Sequence, residues 1–397
     1  MKQLHHGMLA VCAFIALSVP ANAADPGITD TSIKLGNTMP FSGPASGYSA
    51  VGKTETAYFK MLNEKGGING RKVELISLDD GYSPPKTVEQ TRRLVEQDEV
   101  FAMVGSLGTP TNIAVQKYLN AKKVPQVVPF SGASRWNDAK HFPWSTGAQP
   151  SYQTEAAIYA RWILQTKPDA KIAIITPNDD AGRDYVKGFK SGLGSHANQI
   201  VAEAVYETTD PTVDSQIVAF KNSGADMFFN ECTPKFAAQA LKKAAEIGWK
   251  PQIILPTVSN SVSTVLKPIG LENAKGVVTG AYMKDPTDKT WDNDPGMQEF
   301  RAFMKAYNPG ADIQDSFNVS GFTFGYIAAA ALQNAGRDLT REGFIKAMQS
   351  FHDLSVPTLL PGIKVNTSPD NVVPVRQLQM ARFDGTSWVL FGDVLSE

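Results

Sequence analysis

The chain has 397 residues, which is long for one hydrophobic core and comfortable for two domains. Apolar residues make up 42% of it and charged residues 19%, the balance of an ordinary globular protein in water. The formal net charge of −1 offers no basic field to nucleic acid or to anionic lipid, which excludes both from the expected partners.

The first residues predict a secretory signal peptide. A basic start at Lys2 precedes an apolar run, Met8–Val19, and the small-residue site Ala21–Ala23 follows it. Cleavage is expected after Ala23, which leaves 397 − 23 = 374 residues and a charge of 37 − 39 = −2. A lipoprotein attached through Cys12 is the less favoured alternative, because apolar residues continue beyond that cysteine. The run is too short to span a membrane, so we expect a soluble protein exported to the periplasm.

Cysteine and histidine are too sparse to build a scaffold or a metal site. Once the signal peptide is removed, Cys232 is the single cysteine, so no disulfide can form within the chain. His141, His196 and His352 lie far apart and lack the spacing of metal ligands. The sequence therefore predicts neither a metal nor a cofactor.

The first two thirds of the mature chain alternate between strand-like and helical stretches. Strands are predicted at SIKLGNTMP, RKVELISLDD, VFAMVGSL and VPQVVPFSG, and helices over 48–65, 84–98 and 110–122. The pattern restarts after FPWSTGAQP, with helices over 152–165, 181–193, 212–222 and 235–247 and strands at KIAIITP, QIVAEAVYE, ADMFFNE and PQIILPT. This spacing is typical of βαβ units, so we predict an α/β fold with two doubly wound, Rossmann-like parallel sheets.

The last third complicates a simple tandem of two domains. AKGVVTGAYM predicts one more strand, and helices are predicted over 297–307, 317–334 and 341–350. QLQMARFDG and SWVLFGDV predict an antiparallel pair that turns at Asp384-Gly385. These pieces can complete both sheets if the chain crosses back and forth between the domains.

Small and hydroxyl residues follow three strands of the first predicted sheet. After the apolar run Val100–Val104, the stretch GSLGTPTN offers Thr109 as an N-cap and Pro110 as the first helical residue. FSGAS and PFSGP repeat this chemistry after two other strands. Ligands of open parallel sheets bind beyond the carboxyl ends of the strands, where a helix start attracts a carboxylate. The sequence therefore predicts an anion-binding crevice at this edge.

The chain resembles the extracytoplasmic leucine/isoleucine/valine-binding proteins of branched-chain amino acid ABC importers over nearly its whole mature length. The stretches that carry the resemblance are IKLGNTMPFSGPASGYSAVG, NEKGGINGRKVELISLDDGYSP, VGSLGTPTNIAV, VPQVVPFSGAS and IITPNDDAGRDYVKGF. It implies two α/β lobes joined by three hinge crossings, expected near Gly147, Val278 and Val356. The first lobe would comprise residues 28–146 plus 279–355, and the second 147–278 plus 356–397.

The resemblance implies a ligand carboxylate held by the first lobe. The corresponding contacts fall on Tyr48, on Ser106, Leu107, Gly108 and Thr109, and on Ser131, Gly132, Ala133 and Ser134. Hydroxyls and backbone N–H groups of the second and third groups would bind the carboxylate oxygens.

The second lobe departs from the family pattern where the amino end of an amino acid would lie. Ala181 stands where an aromatic residue usually precedes the glycine, and FFNECT places Asn230 and Glu231 at a strand end that usually offers a tyrosine. LPTVS places Thr257 where amino acid binders present a glutamate. Either Glu231 replaces that glutamate, or the ligand has no ammonium and is an aromatic or other organic acid. The organic acid is slightly favoured.

Other chemistry-bearing residues have a structural explanation. Asp79-Asp80 resembles a catalytic pair, but its position before a Pro-led helix is typical of a turn and cap. Cys232 has no histidine near it in sequence, so it is expected to line the cleft rather than act as a nucleophile. Trp136 and Trp144 either stack on a ligand or anchor the loop between the lobes.

Two classes of function remain. The first is a monomeric binding protein that delivers a small carboxylate ligand to the permease subunits of an ABC importer. The second is a periplasmic sensor of the same fold that signals to a receptor. An enzyme is a distant third, because the sequence contains no G-x-G-x-x-G, P-loop or G-x-S-x-G motif and no other catalytic constellation.

Overall fold

A computed structural model describes residues 25–396, so the predicted signal peptide and its cleavage site lie outside the described residues. The first sheet is parallel with the strand order β2-β1-β3-β4. Its strands are β1 (Ser32–Met39), β2 (Lys72–Asp79), β3 (Ala102–Val104) and β4 (Gln126–Val127). The helices that follow its first three strands are α1 (Ser49–Glu64), α2 (Pro84–Glu96) and α3 (Thr109–Ala121).

The second sheet is larger and mixed, with the strand order β11-β10-β9-β8-β7-β5-β6. Its strands are β5 (Ile172–Pro177), β6 (Ile200–Tyr206), β7 (Met227–Asn230), β8 (Gln252–Leu255), β9 (Val278–Ala281), β10 (Leu378–Phe383) and β11 (Trp388–Leu395). The helices in this part are α4 (Tyr152–Thr166), α5 (Asp180–Leu193), α6 (Asp214–Asn222), α7 (Pro234–Glu246) and α8 (Leu271–Ala274). Strand β5 is buried along its whole length, as expected for a parallel strand covered on both faces.

The helices of the last third return to the first sheet. They are α9 (Pro295–Tyr307), α10 (Ser316–Asn334) and α11 (Arg341–Met348). Helix α10 packs against α1, and the Thr54 hydroxyl donates a hydrogen bond of 2.7 Å to Asn318 Oδ1. On α11, the Arg341 guanidinium donates to the carbonyls of Val100 and Phe101 beside β3. The first lobe is therefore assembled from two separate parts of the chain.

The α/β fold with two lobes is confirmed, and the predicted antiparallel pair is the hairpin of β10 and β11. One expectation differs from the structure. The late strands do not complete both sheets, because β9, β10 and β11 all join the second sheet and the first gains only helices. Strand β9 stays in the second sheet up to Ala281, beyond the crossing expected near Val278. The lobe boundaries remain a prediction.

The two lobes touch on both flanks of the space between them. On one flank, Ser134 donates to the Asp184 carboxylate from its backbone N–H at 2.6 Å and from its hydroxyl at 3.0 Å. On the other, Ser261 and Thr264 donate to Asp315, the N-cap of α10, at 2.8 and 3.0 Å. No helix within residues 25–396 is long and apolar enough to cross a membrane.

Candidate functional site

A cavity lies between the lobes, where strands of both sheets end. The first lobe lines it with Tyr48, Tyr82, Leu107, Gly108, Thr109 and Phe130. The second lobe lines it with Tyr152, Pro177, Asp179, Ala181, Glu231, Cys232, Thr233 and Val258. This is the position at which open α/β sheets bind ligands.

The start of α3 forms one wall of the cavity. Thr109 was expected to cap this helix, but Gly108 is the N-cap and Thr109 is the first helical residue. The difference arises because Gly108 has φ +102°, a conformation that L side chains rarely adopt. The N–H groups of the first helical turn have no partner within the helix, so a ligand anion can accept hydrogen bonds from them.

Hydroxyl groups lie beside this helix start. Thr109 Oγ1 lies 2.6 Å from Ser131 Oγ, and the Trp136 indole N–H donates to the same Ser131 oxygen at 2.8 Å. Trp136 is buried and does not line the cavity, so it anchors the loop rather than stacking on a ligand. The Thr109 and Ser131 pair therefore has a fixed position beside the start of α3.

Aromatic rings form the sides of the cavity. The Tyr48 ring meets Phe130 edge-on with centroids 5.6 Å apart, and it meets Phe317 in the same way at 5.0 Å. From the second lobe, Tyr152 stacks on Tyr185 with centroids 4.4 Å apart. These contacts hold the rings in place, so the middle of the cavity is a preformed apolar space.

Glu231 presents a carboxyl group to the cavity from the end of β7. The residue is 3% exposed, and its Oε2 is buried without a hydrogen-bond partner within the described residues. Burial raises the pKa of Glu231 well above its ordinary value, and the nearby charges of Asp179 and Glu155 add to the rise. A buried carboxyl group of this kind is stabilised by a ligand atom that donates a hydrogen bond to it or carries a positive charge beside it.

Asp179 brings a second carboxyl to the same wall. It is the N-cap of α5 and accepts hydrogen bonds from the N–H groups of Ala181 and Gly182 at 2.8 and 3.1 Å. Burial raises the pKa of Asp179, and these two hydrogen bonds lower it. The Asp179 carboxylate thus occupies the N-terminus of α5, where a ligand anion could otherwise bind. The second lobe therefore offers acidic groups to a ligand, whereas the first lobe offers hydroxyls and N–H groups.

Some expected site residues support the cavity instead of lining it. The Ser106 hydroxyl accepts a hydrogen bond from the Thr38 N–H, and the Ser131 hydroxyl accepts one from the Ala133 N–H. The Gly132 carbonyl accepts a hydrogen bond from the Tyr152 N–H. The Asn230 side-chain amide donates one to the carbonyl of Ala237. Ser134 lies at the flank with Asp184. The Thr257 N–H and hydroxyl both donate to Glu155, at 2.7 and 3.0 Å. Tyr48, Leu107, Gly108, Thr109, Ala181 and Glu231 line the cavity directly.

Several lining residues lay outside the sequence-based set. Asp179 carried a usable signal, since an acidic residue between a buried strand and a helix is a common N-cap. Tyr82 and Tyr152 had no such signal in the sequence. Tyr82 reaches the cavity from a turn in which its φ is +61°, and Tyr152 reaches it as the first residue of α4. Cys232 lines the cavity, as expected. No cluster of potential metal ligands occurs in the part of the chain that the structure describes.

Comparison with known proteins agrees with this architecture. The profile of the family described as periplasmic binding protein matches residues 32–387. Leu/Ile/Val-binding protein homolog 7 of Brucella abortus (strain 2308) is 25% identical over 337 residues, which cover 80% of this chain and 81% of that protein.

Solved structures share the fold. A branched-chain amino acid ABC transporter protein from Thermus thermophilus with bound valine has a TM-score of 0.82 at 16% identity, covering 93% of this chain and 98% of that one. A solute-binding protein of an ABC transporter from R. palustris in complex with benzoate has a TM-score of 0.77 at 19% identity, covering 92% and 98%. The resemblance seen in the motifs is confirmed, and the chain belongs to the periplasmic binding protein family.

Proposed function

We propose that the protein is the substrate-binding component of an ABC importer and that it captures a small amino acid in the cavity between its lobes. The ligand carboxylate binds at the start of α3 beside Thr109 and Ser131, and its ammonium pairs with Glu231. The family is one of periplasmic substrate-binding proteins rather than enzymes, which supports the general class.

The unpartnered Glu231 carboxyl is the observation that carries the choice of an amino acid. A buried carboxylate without a partner is costly, and a ligand ammonium removes that cost while gaining a charged hydrogen bond. Asp179 on the same wall makes the second lobe favourable to positive charge. An amino acid carries its carboxylate and its ammonium on the same carbon. The carboxylate can therefore face the first lobe while the ammonium faces Glu231 of the second lobe.

An aromatic acid is the second candidate, favoured by the rings of Tyr48, Phe130 and Tyr152 around the cavity. In this case Glu231 stays protonated and donates a hydrogen bond to a ligand hydroxyl, which its raised pKa permits. The similar structures were solved with valine in one case and benzoate in another.

The remaining parts of the proposal concern where the protein works and with what. Removal of residues 1–23 releases a monomer into the periplasm, and the closed lobes present the ligand to the permease subunits of the transporter. The contacts of Ser134 and Ser261 across the flanks support a closed arrangement that a docking partner can distinguish from an open one.

Isothermal titration calorimetry of the mature protein with valine, leucine, phenylalanine and 4-hydroxybenzoate tests the ligand class. We expect an amino acid to bind and Glu231→Gln to weaken its binding by about 2–5 kcal/mol, the loss typical of a truncated buried charge pair. Glu55→Gln is the matched control, since Glu55 is equally buried but accepts from Asn37 inside the first lobe.

The outcomes separate the candidates. Glu55→Gln is expected to leave ligand affinity unchanged, whereas a loss in both variants would point to general damage. Tight binding of valine that survives Glu231→Gln contradicts the proposed ammonium site. Binding of 4-hydroxybenzoate with no amino acid bound establishes the second candidate instead.

A further inference from the structure

A second cavity lies where the chain passes from the second lobe to the first. Its lining comes from the segment from Thr279 to Asp285, the start of α10 and the strand β11, together with Thr257, Asn260, Asp288, Trp291 and Leu360. It shares no lining residue with the cavity described above. The Phe317 side chain lies between the two, because it lines the second cavity and packs edge-on against Tyr48 of the first.

The walls of this second cavity are rich in aromatic rings. Trp291, Phe317 and Trp388 line it together with Tyr282. Trp388 is held in place by an indole hydrogen bond of 2.9 Å to the carbonyl of Asn260. Rings fixed in this way form a binding surface for a planar or cationic group without further ordering of side chains.

Two carboxyl groups, Asp285 and Asp288, lie in one turn of the lining. Asp285 accepts from the N–H and hydroxyl of Thr287, and Asp288 accepts from the N–H of Thr290. Neither has an ion-pair partner within residues 25–396. Burial raises the pKa of Asp285 to about 6, with the charge of Asp288 contributing. A cation inside the cavity would therefore be stabilised.

Lys284, the single basic residue of the lining, already pairs with an acidic residue outside the cavity. Lys284 Nζ lies 2.7 Å from Asp294 Oδ1 and donates to the carbonyl of Pro357 at 2.8 Å. It also lies 5.6 Å from the centre of the Trp291 ring. The two carboxyl groups of the cavity are thus left without a protein cation to neutralise them.

We propose that this second cavity binds a small organic monocation with an aromatic body, its ammonium on Asp285 and Asp288 and its ring against Trp388 and Phe317. The combination of aromatic rings with carboxylates is the arrangement that recognises organic ammonium ions. Nothing in this inference depends on the ligand of the first cavity.

Phenethylamine and 2-phenylethanol are the probes, since they share a phenylethyl body and differ in the charge of the end group. We expect the mature protein to bind phenethylamine at least tenfold more tightly than 2-phenylethanol in calorimetry at pH 7.5. Asp285→Asn and Asp288→Asn, made singly and together, keep an acceptor for the turn and should remove this preference. Asp292→Asn is the control, because Asp292 lies on the same segment but pairs with Arg301 at the surface.

Loss of the preference in the double variant, with Asp292→Asn and Glu231→Gln unchanged, supports the proposal. Three results overturn it: no binding of phenethylamine at millimolar concentration, equal affinity for both probes, or an amine affinity that the Asp285 and Asp288 variants leave intact. Loss of amine binding in Glu231→Gln also overturns it, since the amine would then occupy the first cavity. Either single variant suffices for the test if the double variant fails to fold.

Discussion

Gly108 occupies the point where the first sheet ends and α3 begins, and its backbone sets the direction of the helix start. A Cβ at this position would lie 2.6 Å from Tyr82 Cε2 and 2.5 Å from Thr111 Oγ1. Both distances are shorter than side chains tolerate, and φ +102° adds backbone strain. The residue therefore fixes both the N–H groups and the Tyr82 wall of the cavity.

We predict that Gly108→Ala weakens binding of the cavity ligand and lowers the free energy of unfolding by about 1–3 kcal/mol. The helix start must shift to relieve the contact with Tyr82, which misplaces the carboxylate site. Calorimetry and chemical denaturation measure the two effects. Gly248→Ala is the control, because Gly248 has φ +65° with open space around it. That variant should cost some stability and no affinity, and equal affinity losses would contradict the assignment.

At the scale of elements, helices α5 and α10 hold the lobes together at opposite flanks of the cavity. Helix α5 contributes Asp184, which accepts two hydrogen bonds from Ser134 and one of 2.6 Å from Gln153. Helix α10 contributes its N-cap, Asp315, which accepts from Ser261 and Thr264. The hydrogen bonds from Ser134, Ser261 and Thr264 join the two lobes, so they form only while the lobes are in contact and stabilise the closed arrangement. The bond from Gln153 lies within the second lobe.

Removing one of these flanks should shorten the lifetime of the complex. We predict that Asp184→Ala weakens ligand affinity about five- to tenfold, mostly through faster dissociation, because the lost hydrogen bonds are worth about 1 kcal/mol. Stopped-flow displacement measures the rate. Asp180→Ala is the control on the same helix, since its ion pair with Arg183 stays within α5. An unchanged dissociation rate for Asp184→Ala would show that the flank contact does not hold the closed form.

The order and extent of the elements were largely predictable from the sequence. Helix α10 was predicted at 317–334 and spans Ser316–Asn334, because hydrophobic periodicity and caps are local signals. The sheet to which each late strand belongs was not predictable. Strand β9 pairs with β8 and β10 through contacts that no local sequence pattern encodes. Strand β4 has only Gln126 and Val127, although the apolar run around it is longer.

The candidate site was predictable at strand ends and less so elsewhere. Thr109 and Glu231 follow buried strands, so their position in the fold followed from the α/β pattern. Whether a side chain faces the cavity depends on partners far away in sequence. Thr257 was expected to contact the ligand, yet its hydroxyl donates to Glu155 of α4 and it lines the second cavity.

At the scale of the whole molecule, three buried glutamates link stability to pH. Burial raises the pKa of Glu55, Glu155 and Glu231. The folded protein therefore keeps protons on these groups at pH values where the unfolded chain, with a glutamate pKa of about 4.3, has lost them. The free energy of unfolding must fall as the pH rises from about 4.3 through the raised values. Asp79 has a lowered pKa, so its contribution changes only below this window.

We predict that the ligand-free mature protein has a higher thermal midpoint at pH 5.5 than at pH 8, measured by calorimetry at constant ionic strength. Glu231→Gln should raise the midpoint at pH 8 and flatten the profile, because it removes one carboxyl that is unfavourable when ionised in the closed cavity. A bound amino acid should flatten the wild-type profile too, since its ammonium favours the ionised form. Glu246→Gln, on an exposed helix face, is the control. A midpoint that rises from pH 5.5 to 8 would contradict this account, and an unflattened Glu231→Gln profile would exclude Glu231 as its source.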